Sequence, residues 1–137
     1  MNATIIALAG YIIWLMLLLL LLPAYRSAHN AKNKRKSLKF SPDGTDVSDF
    51  GFRITRAHLN TVESFPIVAG TMLLALATDS TSITNGLAYV VLAARVVQSV
   101  VHLISTSNPA ITTRFVFFLI QFGICFYWLI MIVIKFI

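Results

Sequence analysis

The chain has 137 residues, of which 58% are hydrophobic and only 12% are charged, and this composition excludes a water-soluble domain with an ordinary polar surface. Its net charge of +6 would indicate nucleic-acid binding in a soluble protein, but six of the eleven basic residues lie between Arg26 and Lys39, directly after an apolar stretch. Basic residues in that place are a topology signal of membrane proteins, so no nucleic-acid partner is expected.

The first predicted element is a transmembrane helix over residues 4–23. This stretch has about 20 residues, enough to cross a bilayer core, and no Ala-x-Ala-like cleavage site follows it, so we expect it to be retained. A basic loop over residues 24–51 comes next, with a turn signal at residues 41–44. Asp49 is a candidate N-cap for the helix that follows.

Three further apolar stretches predict transmembrane helices over residues 52–77, 83–104 and 111–134. Pro66 should kink the second helix or be accommodated by its neighbours, and Pro109 fits the first turn of the fourth. Short connections make successive helices antiparallel. The predicted fold is therefore an all-α membrane protein, a single domain over residues 1–137 that forms an up-down bundle of four transmembrane helices.

The orientation of the bundle follows from the positive-inside rule. The rule places the basic loop over residues 24–51 in the cytoplasm. With four spans, both termini then lie on the opposite side of the membrane, which predicts an integral, multi-pass protein of defined sidedness.

Three of the predicted spans carry polar residues at helical spacing. Span by span, they are Arg53, Arg56, Asn60 and Glu63; then Arg95, Gln98 and His102; then Arg114 and Gln121. Spacings of three, four or seven residues place each set on one helical face, and we expect the three polar faces to meet in the cytoplasmic half of the bundle.

The charges on these faces do not balance, because four arginines stand against one carboxylate, that of Glu63. A charged side chain at membrane depth costs at least ~2.5–3.5 kcal/mol, and Arg95 lies about 14 Å from the cytoplasmic end of its span. Arginine binds carboxylates through a two-pronged fork. The sequence therefore predicts a water-filled cavity or an anionic ligand, and a small molecule with several carboxylates suits it.

Structural roles stay open for several of these residues. Arg53 and Arg114 could instead bind lipid headgroups, and Glu63 could instead form an ion pair with Arg56. Asn60 could instead bridge two helices, and His102 could instead be a packed polar group without a ligand.

Some residues outside the polar faces are also left with two interpretations. His58 faces away from the stripe of residues 56, 60 and 63, and Cys125 is expected to be a packed thiol. Phe115, Phe117 and Phe118 either line a substrate pocket or face lipid. No pattern of metal ligands is present in the sequence.

The stretch from Arg53 to Pro66, which reads RITRAHLNTVESFP, resembles the signature of the MAPEG superfamily, the membrane-associated proteins in eicosanoid and glutathione metabolism. Arg-Ala-His-Leu-Asn with a glutamate three residues later is most similar to the microsomal glutathione transferases. The third span and the start of the fourth resemble the same family, so the likeness covers most of the chain. His102 departs from the pattern, because several members carry tyrosine there.

The resemblance implies a homotrimer that binds glutathione as a co-substrate between adjacent protomers, near the cytoplasmic face. The implied glutathione-binding residues are Arg26, Arg53, Arg56, Asn60, Glu63, Arg95 and His102, and the implied catalytic residue is Arg114. Among these, Glu63 is expected to take the ammonium group of glutathione, and Arg114 to stabilise its thiolate.

The leading functional prediction is a membrane-embedded glutathione transferase for detoxification, and glutathione peroxidase activity is left open beside it. Such an enzyme activates the glutathione thiol for attack on hydrophobic electrophiles that enter from the membrane lipid. The alternative is a non-catalytic trimer of the same family that binds lipid or serves as a scaffold. A third prediction, a small transporter of anionic solutes, requires an open pathway to the far side of the membrane.

Overall fold

The structure is a computed structural model that describes residues 2–33 and 48–137. Its helices are α1 (Ala3–Asn33), α2 (Asp49–Ala77), α3 (Thr81–Thr84), α4 (Ala88–Ile104) and α5 (Asn108–Phe136). These two ranges contain no β-strand, which confirms the predicted all-α class. The predicted turn at residues 41–44 lies outside the described residues.

Helix α1 continues beyond the predicted end of its span. It passes through Pro23 and ends at Asn33, so residues 24–33 of the predicted loop are helical. The sequence after Pro23 is rich in alanine and contains Arg26 and Lys32, which are good helix formers. Proline removes one backbone hydrogen bond but does not by itself end a helix whose other residues favour it.

Helix α2 begins one residue away from the predicted cap. The side-chain oxygen of Ser48 accepts a hydrogen bond from the backbone nitrogen of Gly51 at 3.0 Å, so Ser48 is the N-cap and the prediction of Asp49 was wrong. Asp49 is instead the first helical residue, where its carboxylate interacts favourably with the positive end of the helix dipole. Pro66 lies inside α2, which continues to Ala77.

The structure divides the third predicted span, over residues 83–104, into two helices. Short α3 ends at Thr84, and α4 begins at Ala88. Between them, the side-chain oxygen of Asn85 accepts hydrogen bonds from the backbone nitrogen and the hydroxyl group of Thr4, at 2.9 and 2.7 Å. Asn85 therefore caps the N-terminus of α1, and the Gly86 that follows it is a weak helix former.

The four long helices pack around one apolar core. Helix α1 contacts α2 and α4, and α5 contacts α4 and α2. Buried residues of all four helices meet there, among them Tyr11, Met72, Val91 and Trp128. The polar faces of α2, α4 and α5 meet in another part of the same bundle.

Within residues 2–33 and 48–137, three helical stretches are long and apolar enough to cross a membrane: Ala3–Lys32, Asp49–Ala77 and Asn108–Phe136. Helix α4 is apolar too but has only 17 residues, because the turn at residues 85–87 shortens it. Large apolar side chains cover the outer surface of the bundle, as Leu20 and Phe126 illustrate. Such an exterior suits lipid as the solvent.

Candidate functional site

A cavity of about 340 Å³ lies between α2, α4 and α5, beside the connection at residues 105–107. The residues that line it are Arg56, Asn60, Gln98, His102, Ile111, Arg114, Phe115 and Phe118. The volume falls in the range of small-molecule sites. Residues from all three predicted polar faces therefore meet and line an open cavity of this size.

The cavity has a positive electrostatic character. Two guanidinium groups line it, those of Arg56 and Arg114, and none of the lining residues that the structure describes is acidic. The Nε atom of Arg114 is buried and has no hydrogen-bond partner within residues 2–33 and 48–137. His102 is buried beside both arginines. Such a cavity attracts anions and offers them charged hydrogen-bond donors.

A closed ring of four side chains lies at one side of the cavity. Arg95 donates from Nη1 to the Oδ1 atom of Asn60 at 2.7 Å and from Nε to the Oε1 atom of Gln121 at 3.0 Å. Gln121 donates from Nε2 to the Oε1 atom of Gln98 at 2.8 Å. Gln98 closes the ring by donating from Nε2 to Asn60 Oδ1 at 3.1 Å. The ring joins α2, α4 and α5 beside the cavity, which Asn60 and Gln98 also line.

Arg95 holds a charge inside the bundle. Only 1% of its surface is exposed, and its ring partners are neutral amides. Its Nη2 atom has no hydrogen-bond partner in the described part of the chain. A buried cation with neutral partners raises the positive potential of the neighbouring cavity, since charge is poorly screened where water is scarce.

Comparison with models of protein families shows to which family this chain belongs. The model of the MAPEG family matches residues 4–134, nearly the whole chain. The chain belongs to the MAPEG family. Comparison with curated proteins and with solved structures finds no match. The family includes glutathione transferases and related eicosanoid enzymes, and together with the long apolar helices it identifies this MAPEG chain as an integral membrane protein.

Four of the predicted site residues of this MAPEG chain line the cavity: Arg56, Asn60, His102 and Arg114. Arg95 does not line the cavity but donates a hydrogen bond to Asn60, which does. Arg53 lies elsewhere, because its Nε atom donates to the carbonyl oxygen of Leu103 at 2.8 Å, near the C-terminus of α4. A cation there satisfies one of the free carbonyls at the end of that helix.

Glu63 and Arg26 also lie outside the cavity of a single chain. Glu63 is exposed on α2 and forms no ion pair with any described residue, so its alternative pairing with Arg56 is not seen. Arg26 lies on α1 near His58, and neither of these two residues lines the cavity. A glutathione contact at Glu63 or Arg26 stays a prediction, as do the ligand contacts of the residues that line the cavity.

The three phenylalanines at the start of α5 differ in their surroundings. Phe115 and Phe118 line the cavity, and 58% of the surface of Phe115 is exposed. Phe117 does not line it, but its carbonyl oxygen accepts a hydrogen bond from Gln121. The cavity of this MAPEG chain therefore has an aromatic wall that reaches the outer surface of the bundle.

The sequence indicated that Gln98 and Gln121 were polar positions on the helix faces but assigned them no role. In the structure both are buried members of the ring. The available signal was spacing, since Gln98 lies one turn after Arg95 and Gln121 two turns after Arg114. Cys125 is buried, with 1% of its surface exposed, which confirms the expected packed thiol.

Proposed function

We propose that this MAPEG chain is a membrane-embedded glutathione transferase and that its glutathione site is the cavity between Arg56 and Arg114. The observation that carries the proposal is a cavity lined by two guanidinium groups and by no described acidic residue. Glutathione has two carboxylates, one ammonium group and a thiol, so it is a net anion. Guanidinium groups bind such carboxylates through paired hydrogen bonds.

The lining residues fit the parts of glutathione. Arg56 is exposed to the cavity and suits a carboxylate, while the amide of Asn60 suits the peptide backbone. Arg114 brings a buried Nε atom that is not used by any described residue, and we assign this guanidinium to the sulfur. A cation beside a thiol lowers the pKa of the thiol from about 8.5 and so raises the thiolate population at neutral pH.

The reaction that follows is nucleophilic attack by the thiolate. The thiol proton leaves to water, the sulfur forms a bond to an electrophilic carbon, and the leaving group departs with its electron pair. Phe115 and Phe118 supply an apolar wall for a hydrophobic electrophile that arrives from the lipid. The protein contributes position and electrostatic stabilisation, and glutathione contributes the nucleophile.

The proposal includes a homotrimer that completes the site. Glu63 is exposed on α2, and an unpaired carboxylate at membrane depth is costly. A neighbouring protomer that covers this face would bring Glu63 to a glutathione shared between chains, where it can take the ammonium group. Native mass spectrometry of the detergent-purified protein is expected to give the mass of three chains, and a monomer that binds glutathione would contradict this part of the proposal.

The positive-inside rule places residues 24–51, and with them the cavity, on the cytoplasmic side. An engineered glycosylation acceptor within residues 34–47 is expected to stay unmodified in microsomes, whereas an acceptor added after Ile137 is expected to be modified. The reverse pattern would put the site on the other side of the membrane.

The main experiment is a glutathione titration of the detergent-purified protein, followed by calorimetry and by ultraviolet thiolate absorbance. Wild type is expected to bind glutathione and to form thiolate. Arg114→Ala is expected to keep much of the binding and to lose the thiolate signal. Lys32→Ala removes the same charge from α1, outside this cavity, and is expected to behave like wild type.

Two other outcomes are informative. Glutathione binding without thiolate in the wild type would favour the non-catalytic lipid-binding or scaffold trimer. No glutathione binding by the wild type would overturn the proposed transferase.

A further inference from the structure

We propose that Arg95, both by its direct hydrogen bond and through Gln121 and Gln98, fixes the side-chain amide of Asn60 so that its Nδ2 group faces the cavity. The ligand atom bound at Asn60 is then a hydrogen-bond acceptor, and Gln98 and Gln121 are positioning residues. The inference deepens the proposed function, on which the identity of the ligand as glutathione rests. The orientation of the ring itself follows from the chemistry of its members.

The first step is that a guanidinium group can only donate hydrogen bonds. Both atoms that Arg95 contacts in the ring, at 2.7 and 3.0 Å, must therefore be oxygens. This requirement fixes the amide of Asn60 with Oδ1 toward Arg95, and the amide of Gln121 with Oε1 toward it. An exchange of nitrogen and oxygen in either amide would place N–H groups against N–H groups.

The second step is an independent check at Gln121. Its other amide atom lies 3.0 Å from the carbonyl oxygen of Phe117, which can only accept. That atom must be Nε2, as the contact with Arg95 already requires. The same Nε2 atom lies 2.8 Å from Gln98, so Gln98 must present its oxygen to Gln121 and its nitrogen to Asn60.

The third step concerns what remains for a ligand. The Oδ1 atom of Asn60 accepts two hydrogen bonds, from Arg95 and Gln98, and both of its lone pairs are used. Its Nδ2 group makes no hydrogen bond to the residues that the structure describes, while Asn60 lines the cavity. Asn60 is therefore fixed as a donor toward the ligand, which selects carbonyl or carboxylate oxygens and disfavours ammonium groups.

We call the direction of the hydrogen bonds around the ring its polarity. This polarity can be tested without a ligand. Asn60 acts in the ring only as an acceptor, whereas Gln121 must accept from Arg95 and donate to Gln98 and Phe117. Asn60→Asp and Gln121→Glu both place one negative charge beside Arg95, so they are matched in charge. Aspartate keeps every ring contact at position 60, but glutamate loses both donated bonds at position 121.

The first experiment is thermal unfolding of these two variants in detergent. Asn60→Asp is expected to melt at or above the wild-type temperature, and Gln121→Glu is expected to melt lower by about 4 °C or more. Equal melting temperatures for the two variants, or the reverse order, would overturn the proposed polarity.

The second experiment measures deuterium exchange of ¹⁵N-labelled side-chain amides in micelles. The Gln121 amide protons, both bonded, are expected to exchange at least about tenfold more slowly than those of Asn60. The opposite order would overturn the inference, because Asn60 would then donate within the ring.

Glutathione separates this inference from the proposed function. Its addition is expected to shift the Asn60 amide resonance, and Asn60→Asp is expected to lower glutathione affinity at least about tenfold. Wild type that binds glutathione without changing the Asn60 resonance would overturn the donor role of Asn60 while leaving the transferase standing. Wild type that fails to bind glutathione would overturn the transferase, and the melting and exchange data would still decide the polarity of the ring.

Discussion

The Nζ atom of Lys135 lies 2.7 Å from the carbonyl oxygen of Asp79 and 3.0 Å from the side-chain oxygen of Ser80, so the last turn of α5 is tied to the turn after α2. Asp79 has φ of 53°, a left-handed conformation that is uncommon for residues other than glycine. The ammonium group stabilises this conformation. It lies about 30 Å along α5 from Arg114, at the other end of the bundle.

We predict that Lys135→Met lowers the free energy of unfolding by about 1 kcal/mol, because it removes the donor that fixes the turn at Asp79. Glutathione affinity is expected to stay unchanged, since the cavity that we propose as its site lies at the opposite end of the bundle. Chemical denaturation and calorimetry measure the two quantities, and Lys135→Arg, which keeps donors, is the control. A loss of affinity at constant stability would contradict the separation of the two ends.

The capping of α1 by Asn85 leads to a second prediction. Asn85→Ala is expected to cost about 0.5–2 kcal/mol of stability, because the backbone nitrogen and hydroxyl group of Thr4 lose their acceptor. Asn85→Asp keeps an acceptor at the positive end of the helix and is expected to retain most of the stability. Thermal unfolding of both variants checks this, and equal destabilisation by alanine and aspartate would refute the capping role.

A third prediction concerns the close approach of α1 to α4. A Cβ atom at Gly10 would lie 2.8 Å from a methyl group of Leu92, so a large residue at position 10 requires that side chain to move. Gly10→Leu is expected to destabilise the protein by about 1–3 kcal/mol. Leu92→Ala in the same chain should recover part of this loss, and a double-mutant cycle measures the coupling. Additive effects of the two substitutions would show that the helices do not meet there.

Arg53 and Arg56 form a matched pair for a fourth prediction, because they lie one turn apart on α2 but face different surroundings. Arg56→Met is expected to lower glutathione affinity at least about tenfold, since Arg56 lines the cavity. Arg53→Met is expected to leave affinity within about twofold, because its Nε atom is used by the carbonyl of Leu103. Isothermal titration calorimetry distinguishes them, and equal losses would bring Arg53 into the glutathione site.

Helical spacing predicted that polar residues of three helices meet, but it did not separate Arg56 and Asn60, which line the cavity, from Arg53 and Glu63, which do not. Asn60, Arg95, Gln98 and Gln121 were found on three faces by periodicity alone, and the cost of charge in lipid predicted that the faces would meet. Their hydrogen-bond partners were not predictable, because each bond depends on the rotation of one helix against another. That rotation is set by packing in the apolar core, which a pattern of polar positions does not describe.

The ends of the helices were less predictable. Ser48 and Asp49 are adjacent, and both residue types favour the N-cap position, so only geometry could choose between them. The turn at Asn85 depends on Thr4, a residue more than eighty positions away in the chain. The hydrogen bond from Arg53 to the carbonyl oxygen of Leu103 was not predictable either, because it depends on where the end of α4 lies beside α2.

The ring around Arg95 also constrains how the sequence can change over evolutionary time. With a donor-only residue at position 95, residue 60 must offer an acceptor and residue 121 must offer both an acceptor and a donor. Single replacements that reverse one of these properties break two contacts at once, so they should be viable only when a partner position changes with them. An alignment of relatives should therefore show such reversals as paired changes, whereas replacements that keep the property, such as aspartate at position 60, can stand alone.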